Sequence, residues 1–293
     1  MDLRATESRH PASPGLHLRA AGEVLAELLG AQAAALRTLE PALPDLAKVA
    51  ESGAEVLGRG GKLGYAGAGS SGLMALADAL ELPGTFGIAP DRVPVMFAGG
   101  TSALLHMTGA VEDDPALALA DLRHAGLKAG DMVLVLSASG TTPYALAIAK
   151  EAKARGITVA GIANVSGSAL VQLADIPVVL ETGPEVVSGS TRMGAGTAQK
   201  AALNLISTLI GVKLGHVHDG YMVNVMADNA KLIDRATRIV ADIASVPRSA
   251  AQAALAATGG AVKPAVLVAR GLSPEAATDR LTKTGGHLAP ALD

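Results

Sequence analysis

Five short apolar runs recur through the middle of this 293-residue chain: KLGYAG at 62–67, VPVMFAG at 93–99, DMVLVLS at 131–137, ITVAGIA at 157–163 and IPVVLE at 176–181. None of them alternates apolar with polar residues. A strand with one wet face must alternate, so strands of this kind are covered on both faces, as in a parallel sheet between two helical layers. Alanine-rich segments at 71–82, 115–125 and 142–155 supply the cover. Right-handed crossovers then build an α/β, doubly wound sandwich of five parallel strands. Aromatic residues make up only 2% of a chain that is 49% hydrophobic, so the core is built from Ala, Leu, Val and Ile.

The flanks read differently. Residues 1–16 are polar and carry prolines, as an arm does, and 17–59 is helical with a break near Pro41 and Pro44. After Glu181 the strands stop. Residues 192–243 predict two long helices, the first ending near Gly215 and the second beginning near Gly220; three short helical patterns fill 247–293. The expected organisation is an arm with helices over 1–60, a ligand-binding α/β domain over 61–245, and a helical subdomain over 246–293.

Several functional classes fall away. The net charge is −3 with no basic surplus, and three Tyr, two Phe and no Trp leave little for stacking, so no nucleic acid is expected as a partner. Cysteine is absent, which removes disulfides, thiolate catalysis and cysteine zinc sites. His216 and His218 are neighbours without further ligands at metal spacing, as in a surface turn, so no metal is expected there. The N-terminus has no apolar signal core, and no run of about 18 uncharged apolar residues predicts a membrane span. The chain reads as soluble and cytoplasmic.

Ligands of a doubly wound sheet sit at the C-terminal ends of its strands. The first run leads into GYAGAGSSG at 64–72, where Gly67, Gly69 and Gly72 satisfy G-x-G-x-x-G and open a helix whose N–H groups bind anions. A dinucleotide would need an acidic residue after the second strand. Asp91 precedes that strand, at its wrong end, so the nicotinamide reading loses its support. The third run ends in SASGTTPY, placing Ser137, Ser139, Thr141 and Thr142 at a second helix start. With Gly69, Ser70 and Ser71 they form two hydroxyl-bearing turns at one sheet edge, suited to wrapping a single phosphate. Taken singly, each serine or threonine also reads as an ordinary helix cap.

The paired loops GAGSSG and SASGTTPY resemble the sugar isomerase (SIS) domain, a flavodoxin-like phosphosugar-binding sandwich. Longer strings resemble the N-acetylmuramic acid 6-phosphate etherase family: TESRHPAS near the start, DALELPGTFG at 78–87, GAVEDD at 109–114, GPEVVSGSTRMGAGTAQKAALNLIST at 183–208 and YMVNVMADNAKL at 221–232. The likeness covers nearly the whole chain, weakening at 17–45 and in the last 40 residues. It implies removal of D-lactate from C3 of a phosphorylated amino sugar without metal or cofactor, in a homodimer whose site is completed across subunits. It also implies Glu112 as the base that takes the C2 proton and Glu81 as the group that protonates lactate and then activates water. An aldose–ketose isomerase, needing only the C2 base, and a non-catalytic phosphosugar sensor are the alternatives within the same fold.

By themselves the residues say less. Glu81 is expected at a helix end beside Pro83 and Gly84, where the helix dipole disfavours a carboxylate, yet an ordinary solvated glutamate fits there too. Glu112 sits in an acidic cluster with Asp113 and Asp114, which usually marks a solvated loop. The resemblance places the segment around Glu185 near the sugar, which implies that Glu185 binds a hydroxyl or assists ring opening and that Ser190 and Thr191 donate to phosphate or ring hydroxyls; by themselves Ser190 and Thr191 read equally as helix caps. Lys200 and Asn204 share a helical face towards the site or a subunit interface, and His10 stands where the family carries Asn. Three cations of the family pattern are replaced, by Leu73, Thr141 and Gly194. The substrate would carry about three negative charges, and each lost charge-assisted contact is worth about 1.5–3 kcal/mol. These departures point to a divergent member.

Overall fold

The computed structural model describes residues 5–225 and 230–293. They form two compact units, Met1–Ala79 with Asp91–Ser207 and Leu80–Pro90 with Thr208–Asp293. In the first, the chain runs through α1 (Ala21–Arg37), α2 (Leu39–Gly58), β1 (Leu63–Gly67), α3 (Gly69–Phe86), β2 (Val95–Phe97), α4 (Gly100–Leu105), α5 (Pro115–Ala125), β3 (Met132–Ser137), α6 (Pro143–Ala154), β4 (Thr158–Ala163), α7 (Ala169–Leu173), β5 (Ile176–Val179) and α8 (Gly194–Lys213). The unit boundaries fall within α3 and α8.

The five strands pair in the order β2-β1-β3-β4-β5, every pair parallel. Order reverses between β1 and β3, so the turns leaving those two strands flank the crevice where such sheets bind ligands. All residues of β1 and β3 are buried, which is why their sequences do not alternate. One face packs Ala66, Met96, Val133, Val135 and Val159 against Leu122, Tyr144, Ile148 and Leu170 of α5, α6 and α7. The other presents Tyr65, fully buried, whose hydroxyl donates to Asp78 of α3 at 3.0 Å. Asp78 also accepts from Ser207 Oγ at 3.1 Å and pairs with Lys200 at 3.5 Å, joining strand, α3 and α8. Burial pushes the Asp78 carboxyl above its ordinary value, against the pull of Lys200 and the hydroxyls. At the opposite edge of the sheet, Asp131 accepts from the Lys62 and Lys128 N–H groups, both at 2.8 Å, and ties the starts of β1 and β3.

Three expectations about helices change. The first helical region breaks at Thr38, between α1 and α2, and not at the prolines. Pro41 falls in the first turn of α2, where an N–H has no partner to lose, and only Pro44 removes an internal bond. The helix after β1 continues past Pro83 and Gly84 to Phe86, so Glu81 lies within its last turns and not at its end. Helix α4 and a short 3-10 turn over Gly109–Asp113 stand between β2 and α5, where no helix was expected. The polar arm holds 3-10 turns at Ala5–Glu7 and Leu16–Leu18 and docks on the segment after β5, through Ser13 Oγ to Val186 O at 2.7 Å and Ser188 Oγ to Glu7 O at 3.3 Å.

Instead of a second long helix near Gly220, a small antiparallel hairpin pairs β6 (Val217–His218) with β7 (Tyr221–Met222). Asp219 and Gly220 make its turn with φ of +46° and +79°, the conformation that Asp-Gly favours. Part of the string at 221–232, residues 226–229, lies outside the described residues. Helices α9 (Ala230–Ala244), α10 (Arg248–Ala257), α11 (Val262–Ala269), α12 (Pro274–Lys283) and the short α13 (Ala289–Leu292) follow. They enclose a core of Val223, Val225, Ile239, Val240, Leu255 and Val266.

Asp78→Ala strands the Tyr65 hydroxyl in the core and should cost roughly 1–3 kcal/mol, whereas Tyr65→Phe leaves Asp78 its other partners and should cost about 0.5–1.5 kcal/mol. Urea unfolding of both variants measures the difference, and equal losses would mean that Asp78 is not the hub of this cluster.

Candidate active site

The turn out of β1 is built by close approach. A Cβ on Gly67 would lie 2.9 Å from Gly72 N, and one on Gly72 would lie 2.7 Å from Gly67 O and from the Phe97 ring. Backbone therefore meets backbone, and the start of α3 is pressed onto the end of its own strand. Gly69 takes φ +53°, and a Cβ there would meet Glu112 Oε1 at 2.6 Å. That contact locates Glu112: the 3-10 turn over Gly109–Asp113 swings its carboxylate to the first residue of α3, beside half-buried Ser70 and buried Ser71. Burial, with the charge of Asp113 added, holds the Glu112 carboxyl above the ordinary carboxylate range. A group so shifted is a stronger base once ionised.

The turn out of β3 is a knot of hydroxyls. Ser137 Oγ and Thr142 Oγ1 lie 2.8 Å apart, Gly140 N donates to Ser137 Oγ at 3.0 Å, and Thr141 Oγ1 donates to Ser139 Oγ at 3.0 Å. Thr142 stands at the N-cap of α6 without a side-chain cap bond. These hydroxyls bond one another, Ser137 and Ser139 also accept from N–H groups of the turn itself, and Thr142 does not take the plain capping role. Gly140, at φ +65°, abuts Ser168, whose buried Oγ has no partner among the described residues. Nothing local in the sequence pairs residues 28 apart, so sequence reasoning has no signal for Ser168.

The segment after β5 behaves otherwise. Glu185 is buried, and its two carboxylate oxygens accept from Gly194 N and Ala195 N, each at 2.9 Å. It caps α8, a role expected of Ser190 or Thr191, which sit half-buried in the turns before the helix. Lys200 pairs with Asp78, and Asn204 is exposed. His10 accepts from Ala12 N at 3.1 Å and closes a turn of the arm. In the second unit, burial and the charges of Lys263 and His287 hold His216 down to about 4. No group of three or more potential metal ligands occurs among the described residues. Glu81 is exposed on α3. By Ala79, the last residue of the first unit, that helix has climbed about 15 Å from Gly69 at 1.5 Å per residue, and Glu81 follows two residues later in the chain.

Residues 30–164 match the SIS domain model. A solved Bacteroides fragilis protein assigned as a phosphosugar isomerase involved in capsule formation superposes with a TM-score of 0.50 at 22% identity, covering 64% of this chain and 88% of its own. That likeness carries the fold. The N-acetylmuramic acid 6-phosphate etherase of Deinococcus radiodurans is 42% identical over 98% of this chain and 94% of its own, and that of Serratia proteamaculans is 42% identical over 98% and 97%. The chain belongs to the N-acetylmuramic acid 6-phosphate etherase family. In this etherase-family chain, Leu73, Thr141 and Gly194 bring no cationic side chain to the strand-end turns. Leu73 is half-buried on the first turns of α3, the Thr141 hydroxyl is bonded to Ser139, and Gly194 is buried with a Cβ position 3.2 Å from Glu185 Oε2.

Asp113→Asn removes the like charge beside Glu112. The Glu112 carboxyl should then titrate lower, yet still above the ordinary range because burial is the larger cause; carbon-detected NMR of the side chain reads both points. Gly69→Ala should preserve the circular dichroism spectrum while moving the same Glu112 signal, since an added Cβ occupies the place of the carboxylate.

Proposed function

We propose that this protein cleaves the D-lactyl ether of N-acetylmuramic acid 6-phosphate, giving N-acetylglucosamine 6-phosphate and D-lactate, a step in recycling cell-wall sugar. The observation that carries the reading is the Glu112 carboxylate at the glycine-rich start of α3, in a chain 42% identical to curated etherases over almost its full length. The ether at C3 is stable and its leaving group poor. With the sugar ring open, the C1 aldehyde acidifies the C2 proton, so a carboxylate base can take it. The C2–H electrons then form the C2–C3 double bond as the C3–O bond breaks and lactate departs with a proton. Water adds across the double bond to restore the hydroxyl at C3.

Glu112 serves as the C2 base. Its raised pKa suits a group that must take up a proton and later part with it. Proton abstraction should fail as pH falls through that value, and Asp113→Asn should move the acid limb to lower pH. Phosphate falls to the turn at 137–142, where Ser137, Ser139, Thr141 and Thr142 meet the N-terminus of α6, with Ser70 and Ser71 closing from the neighbouring turn. The starts of α3 and α8 already face carboxylates, from Glu112 and Glu185. Helix N-termini attract anions, so the one without a carboxylate is the natural seat for a dianion. Glu185 then acts by holding Ser190 and Thr191 in place at the head of α8.

Glu81 supplies the proton to lactate and activates the water. The family resemblance implies a site completed across subunits, so Glu81 serves the site of a second copy, and the working unit is a homodimer. The apolar stripe of α1 supports this, with Leu25 and Leu29 at 65% and 71% exposure. Phosphorylated sugars are retained inside cells, which puts the enzyme in the cytoplasm.

In heavy water, Glu112→Ala should abolish both C2 exchange and lactate release, and Glu81→Ala should lose release while sparing exchange. Mixing the two inactive variants should restore up to about a quarter of wild-type lactate release, through mixed dimers with one intact site. Loss of exchange in the Glu81 variant would refute its role, and no recovery on mixing would refute the shared site.

A further inference from the structure

The second unit holds a buried cation that the reaction does not use. Lys263, on α11, is 7% exposed. Its Nζ donates to Gly286 O at 2.8 Å, and among the described residues no carboxylate pairs with it. Burial alone pushes its ammonium down to about 8, so it stays charged at neutral pH. Among the described residues, the titratable groups around it are His216 and His287, both basic, and His216 keeps a buried Nδ1 without a partner. Buried charges are ordinarily paired, because desolvating a lone one is expensive. A carbonyl oxygen meets one of the three ammonium donors and leaves the charge uncompensated.

The same lysine lines a cavity of about 250 Å³, with Val223, Asn224, Val225, Pro264 and Leu281 among its walls. This is below the usual range for a drug-sized ligand, roughly 300–1,000 Å³. One cation in an apolar wall matches one negative charge attached to a little hydrocarbon. A phosphate dianion would find too few donors, and a bare halide would leave the valines and Leu281 facing empty space.

We propose that this cavity is a binding site for a short-chain monocarboxylate, its carboxylate on Lys263 and its hydrocarbon against Val223, Val225 and Leu281. The site lies wholly within the second unit and contains none of the residues assigned to catalysis. The identity of the ligand as D-lactate rests on the reaction proposed above, which releases that three-carbon acid; the class of ligand does not. Product binding there gives the protein a means of sensing lactate apart from the sugar.

Titration calorimetry of the full chain with D-lactate and with propionate tests this, beside Lys263→Met, Leu281→Phe and Glu112→Gln. Wild type and Glu112→Gln should each bind both acids at one site. Lys263→Met, which removes the charge at nearly constant shape, and Leu281→Phe, which fills the cavity and keeps the charge, should each weaken binding at least tenfold with the thermal midpoint retained. Binding that survives both variants, disappears in Glu112→Gln, or is absent from wild type would overturn the proposal. Lysine-dependent propionate binding in a protein that releases no lactate from the muramic substrate would leave the site standing and remove the etherase reading. Lactate release without lysine-dependent binding would do the reverse.

Discussion

Gly67 and Gly72 leave no room for a side chain between the end of β1 and the first turn of α3. The contact sets how close a helix N-terminus comes to the edge of the sheet, and the position of the candidate site follows from it. With α3 pressed down, Gly69 turns through a positive φ, and the space that its Cβ would fill is taken by Glu112. Everything else in the first unit supports that edge from a distance. The Asp78 cluster pins α3 to β1 and α8, and Asp131 fixes the far ends of β1 and β3. A sheet buried on both faces is stiff, and stiffness matters when a base must be held within hydrogen-bonding reach of one carbon-bound proton.

Helices α3, α6 and α8 begin along the strand ends. Each presents unsatisfied N–H groups and the positive end of its dipole. The chain occupies two of them with its own glutamates. Glu185 is bonded to α8 through both oxygens, which makes it part of the framework, while Glu112 keeps a half-buried carboxylate beside Gly69. Two carboxylates of one residue type thus acquire different characters from their surroundings. One is saturated by backbone donors; the other is desolvated and next to Asp113, a better arrangement for moving a proton.

The strands were legible because burial on both faces suppresses alternation, and the two hydroxyl turns were legible because glycine and short polar residues concentrate at strand ends. The hairpin at 217–222 escapes a reading by periodicity although Asp219–Gly220 signals it, since the strands are only two residues long and alanine-rich helices flank them. Helix α3 outruns its expected end because neither Pro83 nor Gly84 outweighs its packing: Phe86 and Leu82 are buried. The capping role of Glu185 and the approach of Glu112 to Gly69 lie beyond sequence reasoning for one physical reason. Both contacts close loops of 9 to 43 residues, and local propensity carries no information about which distant N–H or Cα a carboxylate will find.

Leu73, Thr141 and Gly194 carry no positive charge, which bears on how an anion can be held. Lysine and arginine attract phosphate over distance and are screened by salt. Hydroxyls and helix N–H groups act only on contact, through geometry. In the turn at 137–142 the hydroxyls are already ordered by bonds to one another, so little conformational entropy remains to be lost when they turn to a ligand. Gly194 shows a second consequence. A buried carboxylate needs compensation, and at α8 it comes from two backbone N–H groups without a side-chain charge. The absence of a side chain at Gly194 lets those N–H groups approach Glu185 directly, so a position without a side-chain charge and the tight capping of α8 are two sides of one local solution.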